Sequence, residues 1–303
     1  MTEPRPHLPA STPPGLIGVT GAPGNVGTPL VRELLRRGAR VRVLARRPEV
    51  ARRALADVAG QVEFAPLTFG ERPTYRAALQ GVEKLFVLRP PQLGRVTRDL
   101  VPALDVALGA GVTHFALLSL QGAERLTVTP HAQLEAYLRG TGADWTFLRP
   151  GFFLQNLTTT HRPELRRGEL AVPAGQGRTA FVDVRDVAEA AAAVLTQPGH
   201  AGRAYELTGA QALTYGELAR IFTEALGRPV HYTDPSPLAF FRLLRARGVA
   251  PAQILVMEAI YATARFGLAA HVSEDLPRLL GRPARTAQAF AHDLPHLLQG
   301  DTP

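Results

Sequence analysis

A glycine-rich turn near the start of the chain constrains its fold most strongly. The stretch Val19–Leu35 reads VTGAPGNVGTPLVRELL and places Gly21, Gly24 and Gly27 three residues apart. The apolar run LIGVT (16–20) before the turn predicts a β-strand, and the apolar residues after the turn recur at helical spacing. The sequence therefore predicts a strand, a tight glycine turn and a helix in succession.

The residues that follow complete a βαβ unit. Pro29 fits the first turn of the predicted helix, where a missing N–H leaves no helical hydrogen bond unmade. Gly38 ends that helix, and the alternating RVRVLAR (40–46) predicts a second strand. In such a unit the glycines let the backbone approach a pyrophosphate, which the N–H groups of the helix N-terminus bind. The candidate cofactor-binding residues of this turn are Gly21, Pro23, Gly24, Asn25, Val26 and Gly27.

The end of the second strand indicates which dinucleotide is bound. An acidic residue at this place binds the ribose hydroxyls of NAD, whereas arginine accommodates the 2′-phosphate of NADP. Here the chain reads Arg46-Arg47-Pro48, with no acid before Glu49. Two guanidinium groups favour a phosphate. We therefore expect NADP(H) to be preferred over NAD(H).

The alternation of strands and helices continues through the first half of the chain. Further strands are predicted at QVEF (61–64), KLFVL (84–88), HFALLSL (114–120) and WTFLRP (145–150). This order predicts an α/β fold, a Rossmann-like doubly wound parallel sheet, whose ligands bind at the carboxyl ends of the strands. The residues expected there, around the nicotinamide, are Leu88, Arg89, Pro90, Ser119, Pro150, Gly151 and Phe152.

The second half predicts a smaller C-terminal α/β substrate domain. The predicted divisions are a disordered proline-rich tail (1–15), an NAD(P)-binding domain (16–155) and a substrate or lid domain (156–303). Residues 181–196 are expected to return to the cofactor domain, as a strand at Phe181–Val184 and a helix capped by Asp186. The sequence TYGE (214–217) predicts a capping box that opens another helix.

Apolar helical patterns between residues 238 and 270 have two interpretations. Their large side chains form either the core of the smaller domain or an apolar lid over an aromatic substrate. These side chains are Phe240, Phe241, Leu244, Met257, Ile260 and Tyr261. His292, Asp293 and His296 show helical spacing, but no third ligand accompanies them, so no metal site is predicted.

Composition excludes several other functions. The 303-residue chain has a net charge of +8, almost all of it arginine, because Lys84 is the sole lysine. Its arginines are scattered and no aromatic stacking pattern accompanies them, so a nucleic-acid partner is not expected. No apolar run is long enough for a membrane helix. The absence of cysteine suits a cytoplasmic protein.

Together these stretches resemble the NmrA-like group of atypical short-chain dehydrogenases/reductases. The resemblance rests on the glycine-rich segment, FALLSLQGA, ADWTFLRPGFFLQNL, VDVRDVAEAAAAVL and AYELTGAQALTYGELARIFTEALGRPV, which span most of residues 16–230. It implies a Rossmann-like cofactor domain and a smaller substrate domain. The group includes NADPH-dependent quinone and azo-compound reductases and also non-catalytic cofactor sensors. Its usual acidic residue after the third strand is replaced here by Ala65-Pro66-Leu67.

The chain lacks the Tyr-x-x-x-Lys pair with which related dehydrogenases exchange protons with alcohols and ketones. Counting back from Glu135 places His131 where relatives have the lysine and Thr127 where they have the tyrosine. Ordinary alcohol dehydrogenation is therefore not expected. Ser119 and His131 are the candidate catalytic residues, and both are also candidate cofactor contacts.

Two functions remain open from the sequence. One is an oxidoreductase that passes hydride from NADPH to a quinone or similar electron-poor aromatic substrate, a reaction that needs positioning more than acid–base chemistry. The other is a non-catalytic NAD(P)(H) sensor that binds a regulatory protein partner. Homodimer formation is left open as well.

Overall fold

The computed structural model describes residues 15–299, so the predicted tail lies outside the described residues except for Gly15. The strands of this range are β1 (Leu16–Thr20), β2 (Arg40–Ala45), β3 (Val62–Pro66), β4 (Val82–Leu88), β5 (His114–Leu118), β6 (Asp144–Pro150), β7 (Glu169–Ala171), β8 (Arg178–Thr179), β9 (Arg203–Leu207), β10 (Leu213–Thr214) and β11 (His231–Thr233). The α-helices are α1 (Gly27–Arg36), α2 (Pro48–Ala54), α3 (Tyr75–Leu79), α4 (Val96–Asp99), α5 (Val101–Gly109), α6 (Pro130–Arg139), α7 (Gln155–Thr159), α8 (Arg162–Arg166), α9 (Val184–Thr196), α10 (Tyr215–Leu226), α11 (Pro237–Ala246), α12 (Pro251–Arg265), α13 (Asp275–Leu280), α14 (Ala287–Ala291) and α15 (Leu294–Gln299).

A seven-stranded parallel sheet forms the centre of the molecule. Its strand order is β3-β2-β1-β4-β5-β6-β9, and the order reverses between β1 and β4. Such a reversal opens a crevice at the carboxyl ends of the strands, where ligands of doubly wound sheets bind. The predicted Rossmann-like α/β fold is therefore confirmed.

Apolar cores cover both faces of the sheet. On one face α1 packs against the alanine-rich α9, where Ala190–Ala193 are fully buried. On the other face α3, α5 and α6 pack over β4, β5 and β6. Small alanine side chains let α9 lie close to α1 and to the sheet, which is a packing reason for the AEAAAAVL sequence.

A third apolar core lies in the C-terminal half. It includes residues of α7, α8, α10, α11, α12, α14 and α15, with the short strand pairs β7–β11 and β8–β10. Two later elements return to the main sheet: β9 pairs with β6 as its seventh strand, and α13 packs against α9. The domain boundary at residue 155 stays a prediction, but the chain passes between the two halves more often than the sequence suggested.

Two local predictions around residue 183 were wrong. Phe181–Val184 is not a strand, because only Val182 forms a bridge, to Phe153, before α9 begins. The N-cap of α9 is Asp183, whose side chain accepts a hydrogen bond from the Arg185 N–H at 2.9 Å. Asp186 instead lies buried in the first turn. The predicted capping box of Thr214 and Glu217 is present.

Candidate functional site

The glycine-rich turn between β1 and α1 is closely packed against itself. A Cβ atom added to Gly24 would lie 2.5 Å from the Gly21 carbonyl oxygen, and one added to Gly27 would lie 2.4 Å from the same atom. Gly21 has φ +84°, a left-handed conformation that side chains rarely adopt. The turn therefore requires glycine at all three positions.

The start of α1 carries no group that would repel an anion. Its N-cap Val26 contributes no side-chain cap, and its first turn contains no acidic residue. The Gly24 N–H donates to the Thr28 hydroxyl at 3.2 Å, whereas no residue from 15 to 299 accepts a hydrogen bond from the backbone N–H groups of Asn25, Val26 and Gly27. Unpaired N–H groups and the positive end of the helix dipole fit a pyrophosphate.

Arg46 and Arg47 follow β2, the strand beside β1, as the sequence predicts. Both side chains are exposed, and neither forms an ion pair within residues 15–299. The backbone after β3 lies alongside them, with the Leu67 N–H donating to the Ala45 carbonyl at 3.0 Å. Two uncompensated guanidinium groups at this place fit the 2′-phosphate of NADP(H).

The other end of the crevice begins at Leu88, where β4 ends. Its side chain packs so closely on Gly21 that an added Cβ there would lie 2.8 Å from Leu88 Cδ1. The next residue, Arg89, is half-buried, and its Nε lies 3.5 Å from His131 Nε2 on α6. Burial and the neighbouring Arg89 charge lower the pKa of His131 to about 4, against a smaller opposite effect of Glu135. His131 is therefore a neutral ring at neutral pH.

Ser119 lies at the end of β5 in a buried polar cluster. Its hydroxyl donates a hydrogen bond of 2.6 Å to Glu135 on α6. Arg149 on β6 donates to the same carboxylate at 2.9 and 2.7 Å, and Arg139 donates at 3.0 Å. Burial opposes ionisation of Glu135, but the hydrogen bonds from Arg149 and Ser119 outweigh it and hold the Glu135 pKa below its usual value.

This cluster limits what Ser119 can do. Its proton is engaged by Glu135, so the hydroxyl has only lone pairs left to offer a ligand. The sequence prediction used Glu135 as a marker and missed its pairing with Arg149. The signal was present, because Arg149 directly follows the apolar Phe147 and Leu148 near the end of a predicted strand.

Pro150, Gly151 and Phe152 connect the sheet to the C-terminal half. The Gly151 N–H donates to the Leu207 carbonyl at 3.0 Å, and an added Cβ on Gly151 would lie 2.8 Å from the Ala180 carbonyl oxygen. The Phe152 ring lies 5.8 Å from the rings of both Phe181 and Tyr261. Phe152 thus packs into the C-terminal core at the edge of the crevice.

A segment between α12 and α13, residues 266–274, runs beside this connection. Ala269 accepts a hydrogen bond from the Ala180 N–H at 2.9 Å, and the His271 carbonyl accepts one from Gln121 at 3.4 Å. At its start Phe266 and Leu268 are 74% and 73% exposed. The segment thus exposes two large apolar side chains at its start, while Ala269 and His271 further along it contact residues that border Gly151.

The structure separates the two interpretations of the predicted lid residues. Phe240, Leu244 and Tyr261 are buried in the C-terminal core, whereas Ile260 is 44% exposed. Tyr261 also shares a short hydrogen bond with the buried His161, a pair that the sequence prediction missed. Within residues 15–299 no cluster of side chains fits a metal ion, and no helix is long and apolar enough to cross a membrane.

Comparison with known proteins adds relatives that match nearly the whole chain. An NAD(P)H azoreductase of Xenophilus azovorans is 34% identical over 91% of this chain and 96% of its own length. A (4-alkanoyl-5-oxo-2,5-dihydrofuran-3-yl)methyl phosphate reductase of Streptomyces griseus is 35% identical over 91% of this chain and 99% of its own.

A solved structure is also similar to this chain over most of its length. The NADPH complex of an Escherichia coli quinone oxidoreductase superposes with a TM-score of 0.82 at 28% identity, covering 92% of this chain and 99% of that one. The family model described as NmrA-like matches residues 13–278. The chain therefore belongs to the NmrA-like family.

Proposed function

We propose that this protein is an oxidoreductase that passes hydride from NADPH to a quinone or a similar electron-poor aromatic acceptor. The observation that carries the proposal is the continuous carboxyl edge of the sheet. There the glycine-rich turn and two exposed arginines, which form no ion pair within residues 15–299, share one edge with the ends of β4 to β6, where no tyrosine–lysine pair is present.

The chain's own groups fit the cofactor in three places. The unpaired N–H groups of Asn25, Val26 and Gly27 bind the pyrophosphate, and Arg46 and Arg47 bind the 2′-phosphate. A third group of residues at the ends of β4, β5 and β6 orients the nicotinamide: Leu88, Arg89, Pro90, Ser119, Pro150, Gly151 and Phe152. When bound there, NADPH supplies the hydride. The relatives support this choice, because one is an NAD(P)H azoreductase and another is solved with NADPH.

The side chains on α6 and in the loop before it determine which class of molecule can accept the hydride. His131 stands at the lysine place and is neutral, and Thr127 at the tyrosine place is exposed on the loop before α6. Neither side chain replaces the tyrosine of lowered pKa that donates a proton when a ketone is reduced. Quinones and azo compounds accept hydride readily and take their protons from water or from a weak donor such as the His131 N–H. The site therefore works by holding donor and acceptor in contact.

Apolar side chains on the connection after β6 and on the segment 266–274 suit a flat aromatic acceptor. Phe152 forms one side of this region, and the exposed Phe266 and Leu268 lie on the adjoining segment. Large apolar side chains contribute binding by removing acceptor surface from water. The relatives named for azo compounds and quinones act on molecules of this shape.

The test is the oxidation of NADPH by purified protein with a small naphthoquinone, with NADH in a parallel reaction. We expect protein-dependent loss of nicotinamide absorbance that is faster with NADPH. If NADPH binds but is not consumed with any quinone or azo acceptor, the reductase proposal fails. The cofactor-sensing hypothesis then becomes the one to pursue, and it requires a protein partner whose affinity differs between oxidised and reduced cofactor.

A further inference from the structure

Arg89 is held rigidly at the carboxyl end of the central strand β4. Its Nη1 donates to the carbonyl oxygens of Pro90 at 3.0 Å, Pro91 at 3.2 Å and Leu93 at 2.9 Å. Its Nε faces His131 Nε2 at 3.5 Å. The guanidinium is thus fixed by its own loop, while its Nη2 makes no hydrogen bond to any residue from 15 to 299.

No carboxylate in the described chain neutralises this charge. Arg149, at the same edge of the sheet, is paired with both Glu135 and Glu124 at 2.7–2.8 Å. Arg89 has no such partner, and burial alone accounts for the lowering of its pKa. A half-buried cation without a counter-charge is unfavourable in the free protein, and an anion that reaches it gains a charge-assisted hydrogen bond.

We propose that Arg89 holds an anionic group of the hydride acceptor, so that aromatic acceptors bearing a sulfonate, carboxylate or phosphate are preferred over neutral ones. This inference rests on the proposed reductase function and narrows its substrate class. Arg89 Nε donates to His131 Nε2 at 3.5 Å, so the neutral ring keeps its own N–H on Nδ1 and adds no second charge beside the guanidinium. The rigid guanidinium reduces the ordering cost of binding.

The cofactor's own anionic groups are already matched by other residues. The turn at Asn25–Gly27 provides N–H groups for the pyrophosphate, and Arg46 with Arg47 provides for the 2′-phosphate. Arg89 lies beyond Leu88, on the side of His131 and α6, where the acceptor is expected to stack on the nicotinamide. The Arg89 guanidinium therefore remains available for an anionic group of the acceptor.

The kinetic test compares 1,2-naphthoquinone with its 4-sulfonate, using kcat/KM at saturating NADPH. For each variant, kcat/KM for the sulfonate is divided by kcat/KM for the neutral quinone, and this ratio is then divided by the wild-type ratio. The second division cancels the difference in intrinsic reactivity between the two quinones. Arg89→Met should lower this ratio about tenfold or more, as expected for a lost hydrogen bond between charged groups. Arg89→Lys should retain part of the preference, and Arg76→Met, which removes an exposed arginine, should leave the ratio unchanged.

Two results would overturn the inference. An unchanged ratio in Arg89→Met would show that the guanidinium does not meet the acceptor's anion. Equal losses for both acceptors, together with a raised KM for NADPH, would leave Arg89 with the orientation of the nicotinamide as its only role. Folding of Arg89→Met is checked by its circular dichroism spectrum and its melting temperature, because the variant also removes the three hydrogen bonds to the loop carbonyls.

A binding measurement separates this inference from the reductase proposal. Naphthalene-2-sulfonate is titrated into the NADP⁺-loaded protein by calorimetry, and the His131 ring is followed by NMR. We expect binding that is lost in Arg89→Met, and a rise in the His131 pKa as the sulfonate offsets the Arg89 charge, with Glu135 unchanged nearby. If the wild type consumes no NADPH but binds the sulfonate through Arg89, the reductase proposal fails and the anion subsite stands. Absence of sulfonate binding to the wild type would refute the subsite.

Discussion

The Ser119 hydroxyl donates its proton to Glu135 across 2.6 Å, and Arg149 holds the same carboxylate through two hydrogen bonds. This relationship joins the ends of β5 and β6 to α6. It therefore fixes the position of His131, which lies one helical turn before Glu135. The buried ion pair of Glu135 and Arg149 thus supports the part of the crevice that is expected to orient the nicotinamide. Ser119 adds a hydrogen bond to this pair.

Removing the charge of Glu135 should destabilise the protein. Glu135→Gln leaves Arg149, which is only 8% exposed, with Glu124 as its remaining partner. Breaking a buried pair in this way costs about 3 kcal/mol of unfolding free energy. Urea unfolding measures the change, with Glu224→Gln, an exposed position on α10, as the control. Equal losses in the two variants would show that the buried pair contributes nothing specific.

The two arginines after β2 should decide between the phosphorylated and unphosphorylated cofactors. Replacing Arg46 and Arg47 with alanine removes the charges expected to meet the 2′-phosphate, so NADPH affinity should fall about tenfold to a hundredfold. NADH affinity should change little. Calorimetric titration of both cofactors checks this, and Arg53→Ala removes an exposed arginine of α2 as the control. The 2′-phosphate assignment fails if both cofactors weaken to the same extent.

The glycine turn should not tolerate a side chain at its centre. Gly27→Ala places a Cβ 2.4 Å from the Gly21 carbonyl oxygen and must shift the backbone that carries the pyrophosphate-binding N–H groups. We expect the dissociation constant for NADPH to rise about tenfold or more. Gly109→Ala is the matched control, because no atom lies within 4 Å of the added Cβ there. Wild-type affinity in a folded Gly27→Ala protein would be contrary to the proposed turn.

Buried histidines should make the fold less stable in mild acid. Burial, with a contribution from Arg247, lowers the pKa of His161 to about 4, below its usual value in an unfolded chain. Its neutral form therefore stabilises the fold fully above pH ~6.5, and this contribution is lost as the pH falls towards about 4. His114 and His131 shift in the same direction.

Replacement of His161 tests this pH dependence. The unfolding free energy of the wild type should fall between pH ~6.5 and ~4, and His161→Gln should reduce that slope. His292→Gln, at an exposed position, should keep the wild-type slope. Chemical unfolding at several pH values gives the three slopes. A His161→Gln slope that equals the wild type would assign the loss of stability to other groups.

The main sheet was predictable from the sequence because its signals are local. Strands β1, β2, β4, β5 and β6 are short apolar or alternating runs that begin within three residues of a glycine, and each lies within two residues of its predicted place. The membership of β9 in this sheet, as its seventh strand, was not predicted. Its partner β6 lies more than fifty residues earlier, and pairing over that distance leaves no local pattern.

Side-chain partnerships were the less predictable part of the site. The choice of Asp183 rather than Asp186 as the cap of α9 depends on where the helix begins. Asp186 is instead buried against Arg282 and Arg285, about one hundred residues later. Residues of the glycine turn need no such partner, because their role follows from backbone geometry alone.

The most direct test of the account is a single turnover in which the protein is loaded with NADPH and mixed rapidly with a naphthoquinone. NADPH deuterated at either face of the nicotinamide C4 is used in parallel. We predict rapid loss of reduced nicotinamide that requires the protein and slows with deuterium on one face only, because the site fixes which hydrogen faces the acceptor. Bound NADPH that survives mixing, or decay that is equal for both deuterated forms and for free cofactor, would contradict hydride transfer in this crevice.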